Sequence, residues 1–297
     1  MAVEQPGGSG VSSEGASGIP SQGEVKAELA GVCETTLWTL YQRAVEARRP
    51  DGLLHDPKAV ELVERIDFPF AERFGGGDLL AQLQALRVGS FDREVADFLV
   101  RCPRGTVVCL GDGLETQYWR VDNGRAHWVS VDLPESIALR ERLLPPGPRQ
   151  RLVGCSVTDH RWMDEVETEH GVLITTEGLL MYLRPGEVRE LIAGCAERFP
   201  GATFVLDAVP RWLSRLASKG KVRGHGFQAP PMPFGMDADE RDKLATAHPG
   251  VVEVRDVLPL AGRGLLGRLI PAAARLPLIG SRRPSVVALR FADRARG

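Results

Sequence analysis

Apolar and polar positions along this chain follow two rhythms, and the change from one to the other marks its elements. Five short runs, Thr106–Leu110, His127–Val131, Arg151–Val157, Gly171–Thr176 and Ala202–Asp207, are rich in β-branched residues. Such nearly continuous apolar runs suit strands of a parallel sheet covered on both faces. Helical periods fall between them. One runs from about Leu114 to Asp122 and is stopped by Asn123-Gly124; another covers Ser136 to Leu144, ahead of Pro145–Pro148; a third covers Pro185 to Phe199, with proline at its opening. Two further strands are expected at Val251–Val257 and Pro284–Phe291. Strands alternating with helices make this an α/β chain.

Upstream of the first strand the rhythm is helical. Glu24 to Arg49 carries Val32, Thr36, Leu40 and Ala44 on one stripe, Lys58 to Ile66 follows the His55-Asp56-Pro57 break, and Asp78 to Val100 leads into the sheet. These pieces are expected to cap one end of the sheet. Residues 1–23 are Gly- and Ser-rich and expected to be a disordered tail. The expected division is a single domain over 24–297. It comprises a helical cap and lead-in helix (24–100), a cofactor-binding core (101–209), a lid (210–250) and C-terminal strands with a helical insertion (251–297). The lid reading rests on the irregular, cation- and proline-rich texture of Pro210 to Met236. The insertion, GLLGRLIPAAARLPLIG, is apolar with Arg268 and Arg275. It reads as helix packed on the core or in a dimer contact, with a membrane-surface helix as the weaker alternative.

Composition narrows the function. A net charge of −2 with 26% charged residues shows no tract dense enough to follow phosphates, so no nucleic-acid partner is expected. The five cysteines are scattered, and the six histidines show no ligand spacing, so no metal site is expected. No apolar run approaches the roughly 20 residues of a membrane span, and the N-terminus lacks the pattern of a signal peptide. A cytoplasmic protein is expected, a homodimer being open.

The chemistry centres on the first strand. It ends in Gly111-Asp112-Gly113, where glycines permit a tight turn and close approach of a ligand to the backbone. Asp132 closes the second strand 21 residues after Gly111, near the roughly 20-residue spacing of an acid that holds a ribose. A dinucleotide turn would carry a third glycine where Thr116 stands, and no P-loop lysine follows. A ribose site without a phosphate site suits S-adenosylmethionine.

The segment LGDGLETQYWRVDNG, followed by WVSVDLPE, resembles the leucine carboxyl methyltransferase family, especially its bacterial branch of polyketide-type O-methyltransferases. The family pattern is roughly LGxGLDTRxxR-DNG and then DLPE. This chain departs from it at Asp112, at Glu115 in place of Asp and at Gln117 in place of Arg, changes that flank the turn. The resemblance implies a class I methyltransferase fold: a Rossmann-like sheet, mostly parallel with an antiparallel strand near the C-terminus, plus an N-terminal helical cap and a lid insertion. It also implies the cofactor S-adenosyl-L-methionine and a cofactor set of Arg87, Gly111, Asp112, Gly113, Asp132, Leu133, Ser156, Val157, Asp159, Glu177 and Gly178.

Within that set Arg87, in ALRVGSFD, would take the methionine carboxylate, to which a planar guanidinium offers a two-point fork. Glu177, in TTEGLLMYL, would meet the ammonium. Ser156 and Asp159 are alternative partners for the adenine amine, although Asp159 could equally cap the segment beginning at His160. Tyr182 either lines the acceptor pocket or packs beneath it, and Tyr182 and His225 are the weak candidates for a catalytic group. The expected reaction is methyl transfer to a small-molecule carboxylate or phenol of polyketide type. The alternatives are a protein C-terminal carboxyl methyltransferase, a nicotinamide-dependent oxidoreductase and a non-catalytic cofactor-binding module.

Overall fold

The computed structural model describes residues 25–26, 34–75, 77–224 and 227–293; the expected tail at 1–23, Val32, Cys33 and His225 lie outside the described residues. Seven strands make one sheet: β1 (Thr106–Leu110), β2 (His127–Asp132), β3 (Gln150–Gly154), β4 (Val172–Thr176), β5 (Thr203–Ala208), β6 (Val251–Val257) and β7 (Ser285–Phe291). Their spatial order is β6-β7-β5-β4-β1-β2-β3. β1 pairs in parallel with β2 and β4, while β7 runs antiparallel to both β5 and β6. The sheet is thus the mostly parallel one expected. After β3 the chain returns to the other side of β1, and this reversal opens a crevice at the carboxyl ends of β1 and β4.

Helices cover both faces. α3 (Asp78–Arg101) lays Phe91, Val95, Phe98 and Leu99 against Val107, Leu173 and Val205. α6 (Pro185–Arg198) packs Val188, Leu191, Ile192 and Cys195 against Val108, Ile174 and Phe204 on the opposite face. β1 and β4 are buried at every position, which explains why neither shows polar alternation. A second core joins α1 (Glu34–Ala47) and α2 (Pro57–Arg65) through Leu37, Leu40, Tyr41 and Leu62, and it includes Leu114 from the glycine turn. That contact places the N-terminal cap over the crevice.

Several boundaries differ from the expectation. Val25–Lys26 pairs in parallel with Ile66–Asp67 instead of extending α1, which begins at Glu34. The helix after the turn, α4, is only Gln117–Val121. Thr116 is held back because its hydroxyl bonds the buried carboxylate of Asp56 at 2.6 Å. β3 stops at Gly154, and the chain then turns, with Asp159 N–H donating to the Ser156 carbonyl at 2.9 Å. α5 begins at Pro134 and ends at Leu143.

The segment 210–250 divides into three parts. α7 (Arg211–Ser218) and a short hairpin, Arg223–Gly224 with Phe227–Gln228, come first. Ala238–Ala247 then packs on α6 and β6, with Met236 and Leu244 in the main core. The insertion forms three one-turn helices, Gly264–Arg268, Ile270–Ala273 and Pro277–Gly280. Pro271 and Pro277 sit in the first turns of the last two, where a missing N–H costs nothing, and so divide the apolar run.

Candidate active site

At the crevice Gly111 has φ +70° and Gly113 φ +38°, conformations that side chains disfavour. Neither position has room for a Cβ: at Gly111 it would stand 3.0 Å from the Leu179 side chain, and at Gly113 2.7 Å from Thr36 Oγ1 on α1. The turn is tied to the end of β2. Gly113 N–H donates to Asp132 Oδ2 and Leu133 N–H to Oδ1, each at 2.7 Å. Burial pushes the Asp132 carboxyl upward, and these N–H groups pull it back.

A cavity of about 60 Å³ opens beside the turn, with Thr36, Arg87, Gly111, Gly113, Glu115 and Glu177 among its walls. Arg87 reaches it from α3. Its Nη2 lies 3.2 Å from Glu177 Oε1 and its Nη1 2.9 Å from Asp207 Oδ2, while Nε is buried with no hydrogen-bond partner among the described residues. Burial pushes the Glu177 carboxyl up to about 8 against the opposing pull of Arg87. Gly178, at φ +73°, donates its N–H to Asp207 Oδ1 at 2.8 Å. The structure therefore brings Arg87, Glu177, Gly178, Gly111 and Gly113 together, and adds Asp207.

Asp207 was missed because it sits in the apolar run VLDA, whose last residues read as strand. The available signal was its place at the same carboxyl edge as Glu177.

Other expected residues fall elsewhere. Asp112 touches the cavity, but its buried carboxylate pairs with Arg140 Nη2 at 2.9 Å. Burial raises it to about 6, with Arg140 pulling down. Arg140 also donates to the carbonyls of Gly113 and Glu115, at 2.9 and 2.8 Å, so the pair braces the turn. Asp132, Leu133, Ser156, Val157 and Asp159 do not line the cavity; they follow one another along the ends of β2 and β3. The Ser156 hydroxyl bonds Thr158 at 2.8 Å, and the Val157 carbonyl accepts from Trp162 Nε1 at 3.1 Å. Asp159 accepts from Arg161 N–H at 3.3 Å as cap of the 3₁₀ helix His160–Glu165, the alternative role open to it. Tyr182 is packed with Met181 and Val209 in a small apolar cluster, and burial holds its phenol above the usual range.

Beneath the turn lies a network that the sequence reading did not foresee. Arg43, buried on α1, bonds the Leu114 carbonyl at 2.8 Å and pairs with Glu115 at 2.8 Å and Asp56 at 3.3 Å. Arg120 joins Asp56, Asp92 and Glu115, each at 2.8 Å. Two of the three departures from the family pattern, Glu115 and Gln117, are absorbed here. Glu115 reaches two arginines at once, which lower its carboxyl to about 2 despite burial. Gln117 donates to Asp92 Oδ1 at 2.9 Å.

Residues 36–196 match the model of the leucine carboxyl methyltransferase family, a span that runs from α1 through α6. The chain belongs to the leucine carboxyl methyltransferase family. It is an S-adenosylmethionine-dependent methyltransferase. A tetracenomycin polyketide synthesis O-methyltransferase of Streptomyces glaucescens is 32% identical over 225 residues, covering 75% of this chain and 81% of that one. An S-adenosyl-L-methionine-dependent methyltransferase of Gibberella zeae is 30% identical over 190 residues, 59% of this chain and 63% of its own. Among solved structures, a putative methyltransferase from Thermobifida fusca superposes with a TM-score of 0.53 at 15% identity, covering 86% of this chain and 94% of that one; this likeness concerns the fold. The family match takes in the glycine turn, Asp132 and Glu177 but stops before Asp207 and the insertion.

Proposed function

We propose that this methyltransferase acts on an oxygen of a small acidic molecule of polyketide type, with a carboxylate as acceptor ahead of a phenol. The observation that carries this reading is that, among the described residues, each carboxylate lining the cavity, Asp112, Glu115 and Glu177, is paired with an arginine. Among the described residues lining the cavity there is no histidine or lysine. Tyr182 is held as a neutral phenol, and Glu177 is engaged by Arg87. A carboxylate acceptor is ionised near neutral pH and needs no proton removed, whereas a phenol, with a reference pKa of about 10, profits from a base. The S. glaucescens relative, named for O-methylation in polyketide synthesis, supports the same class.

The residues present fit the cofactor. Arg87 Nε is a buried donor with no hydrogen-bond partner among the described residues, as expected of a guanidinium that receives a carboxylate. The carboxylate of Asp132 takes the N–H groups of Gly113 and Leu133 and a bond from the Ser136 side chain, and its roughly four acceptor sites leave one for a ribose hydroxyl. In this reading Gly111 and Gly113 admit the cofactor to the backbone, Asp132 and Leu133 border the ribose, and Ser156, Val157 and Asp159 border the adenine. Arg87 takes the carboxylate; Glu177 and Gly178 flank the ammonium. The bound cofactor supplies an activated methyl group on a sulfonium. The chain contributes placement of the two reactants and exclusion of water.

The test uses cofactor labelled in its methyl group and a panel of carboxylic acids and phenols. Mild alkali releases methanol from a methyl ester and leaves an aryl ether intact. Alkali-labile label is expected; transfer confined to alkali-stable products would overturn the carboxylate reading.

A further inference from the structure

Between β6 and β7, residues 258–284 contain five arginines and no aspartate or glutamate. Two of the arginines are neutralised: Arg263 pairs with Glu46 of α1, and Arg283 with Asp256 at 2.5 Å. Arg268, Arg275 and Arg282 are exposed and make no ion pair with any described residue. Large apolar side chains stand out among them. Leu265 is 78% exposed, Leu269 52%, Leu276 51% and Ile279 61%, and the middle helix, Ile270–Ala273, buries no residue at all. Trp212 of α7, itself half exposed, joins this face by donating its Nε1–H to the Arg282 carbonyl at 3.1 Å. On the other flank Arg263 N–H donates to Gln82 Oε1 at 2.9 Å, which sets the face beside the exposed Leu79, Leu80 and Leu83 of α3. Two further carboxylates on that flank, Asp51 and Asp78, are occupied by Arg49.

We infer that this cationic, leucine-studded face docks the enzyme on an anionic phospholipid surface. Charge selects that occupant. A second copy placed by a two-fold axis would set the face against itself, so a cationic surface without carboxylates in residues 258–284 would meet the same cationic surface. An anionic partner removes that conflict. Shape then favours lipid over an acidic protein. The apolar side chains project from the first and third one-turn helices and from the junctions between helices, an arrangement that needs no complementary surface where the partner is a fluid interface. A Trp, several leucines and arginines side by side are also what an interface-dwelling segment combines: apolar bodies in the acyl boundary and cations among the headgroups. No helix among the described residues is long and apolar enough to span a bilayer, so the contact is with the surface.

Co-sedimentation with vesicles tests the inference on the full chain. At low salt the protein should pellet with vesicles of phosphatidylcholine mixed with phosphatidylglycerol and stay in solution with phosphatidylcholine alone, and added salt should release it. Replacing Arg268, Arg275 and Arg282 together by Gln should weaken partition on the order of 100-fold, at roughly fivefold per arginine. Leu269→Ser with Ile279→Ser should weaken it too, with far-UV circular dichroism unchanged because all of these side chains are exposed. No partition into anionic vesicles, or partition indifferent to both sets of substitutions, would overturn the inference. So would a soluble dimer dissolved by the same substitutions, which assigns the face to a second copy. Binding to soluble polyglutamate as tight as to vesicles would overturn it as well, in favour of an acidic protein.

Discussion

The Nη1 atom of Arg87 lies 2.9 Å from Oδ2 of Asp207, across 120 residues of sequence. Asp207 is the penultimate residue of β5 and its second oxygen receives the N–H of Gly178, so one side chain fixes both the guanidinium and the loop that carries Glu177. Asp207 is a positioning residue in this arrangement: it orients the two groups proposed to grip the cofactor's amino-acid end.

Asp207→Ala should therefore act on stability and binding together. It leaves the Gly178 N–H and one face of Arg87 without their acceptor in a buried place, at a cost of about 2–3 kcal/mol. The denaturant midpoint should fall, and cofactor affinity, measured by calorimetry on the folded fraction, should fall with it. Asp207→Asn, which keeps the shape and an acceptor oxygen, should recover most of the stability; a variant as stable and as tight-binding as the parent removes Asp207 from the role.

Asp132→Ala tests the other end of the proposed cofactor site. Loss of a charge-assisted pair to the ribose predicts a penalty of about 2–3 kcal/mol in affinity. The same substitution also frees the N–H groups of Gly113 and Leu133, so the turn itself should loosen. Asp132→Asn separates the two effects, since an amide oxygen can still receive one N–H. Calorimetric affinity unchanged in both variants would exclude Asp132 from the site.

The strands of the sheet were legible because parallel strands buried on both faces advertise themselves as short β-branched runs, and β1 begins and ends where its apolar run does. The glycine turn, Asp132, Arg87 and Glu177 were legible through their spacing and their likeness to a family pattern. What stayed hidden depends on distant partners. Nothing local in VLDA distinguishes Asp207 from the end of an ordinary strand, and Arg43 looks like one more surface charge on a helix until Glu115, Asp56 and the Leu114 carbonyl converge on it. The shortness of α4 has the same origin, because Thr116 is held by Asp56 from 60 positions away. The pairing of Asp112 with Arg140, which lies one helix further on, was equally out of local reach.

The close approach of α1 to the turn gives a third prediction. Gly113→Ala forces a Cβ to within 2.7 Å of Thr36 Oγ1 and 2.8 Å of its Cγ2, and does so at φ +38°. Backbone strain of this kind costs on the order of 1–3 kcal/mol, and the collision adds to it. Pairing the change with Thr36→Ala removes the two nearest atoms and should restore part of the lost melting temperature, but not the share due to φ. Strict additivity of the two substitutions would show that the helix does not press on the turn.

The carboxyl of Glu177 predicts how binding depends on pH. Burial raises it from 4.5 to about 8, Arg87 opposes the rise, and the nearby Glu115 carboxylate adds to it. Near neutral pH the free enzyme therefore holds Glu177 largely protonated, whereas a cation brought beside it favours the ionised form. Binding must then expel a proton wherever the pH lies below about 8 and above the lowered value in the complex. Affinity should rise with pH across that window and level off above it, by at most about tenfold per pH unit. Titration calorimetry in buffers of different ionisation enthalpy reads the released proton directly, and Glu177→Gln should abolish it. Stability runs in the opposite sense. A folded value raised above the unfolded one contributes stability that is fully present below about 4.5 and is lost as the pH passes through about 8. The cofactor-free protein should thus lose stability with rising pH over the interval in which it gains affinity, and the Gln variant should flatten both slopes; a cofactor-free protein whose stability climbs over that interval would place the titrating group elsewhere.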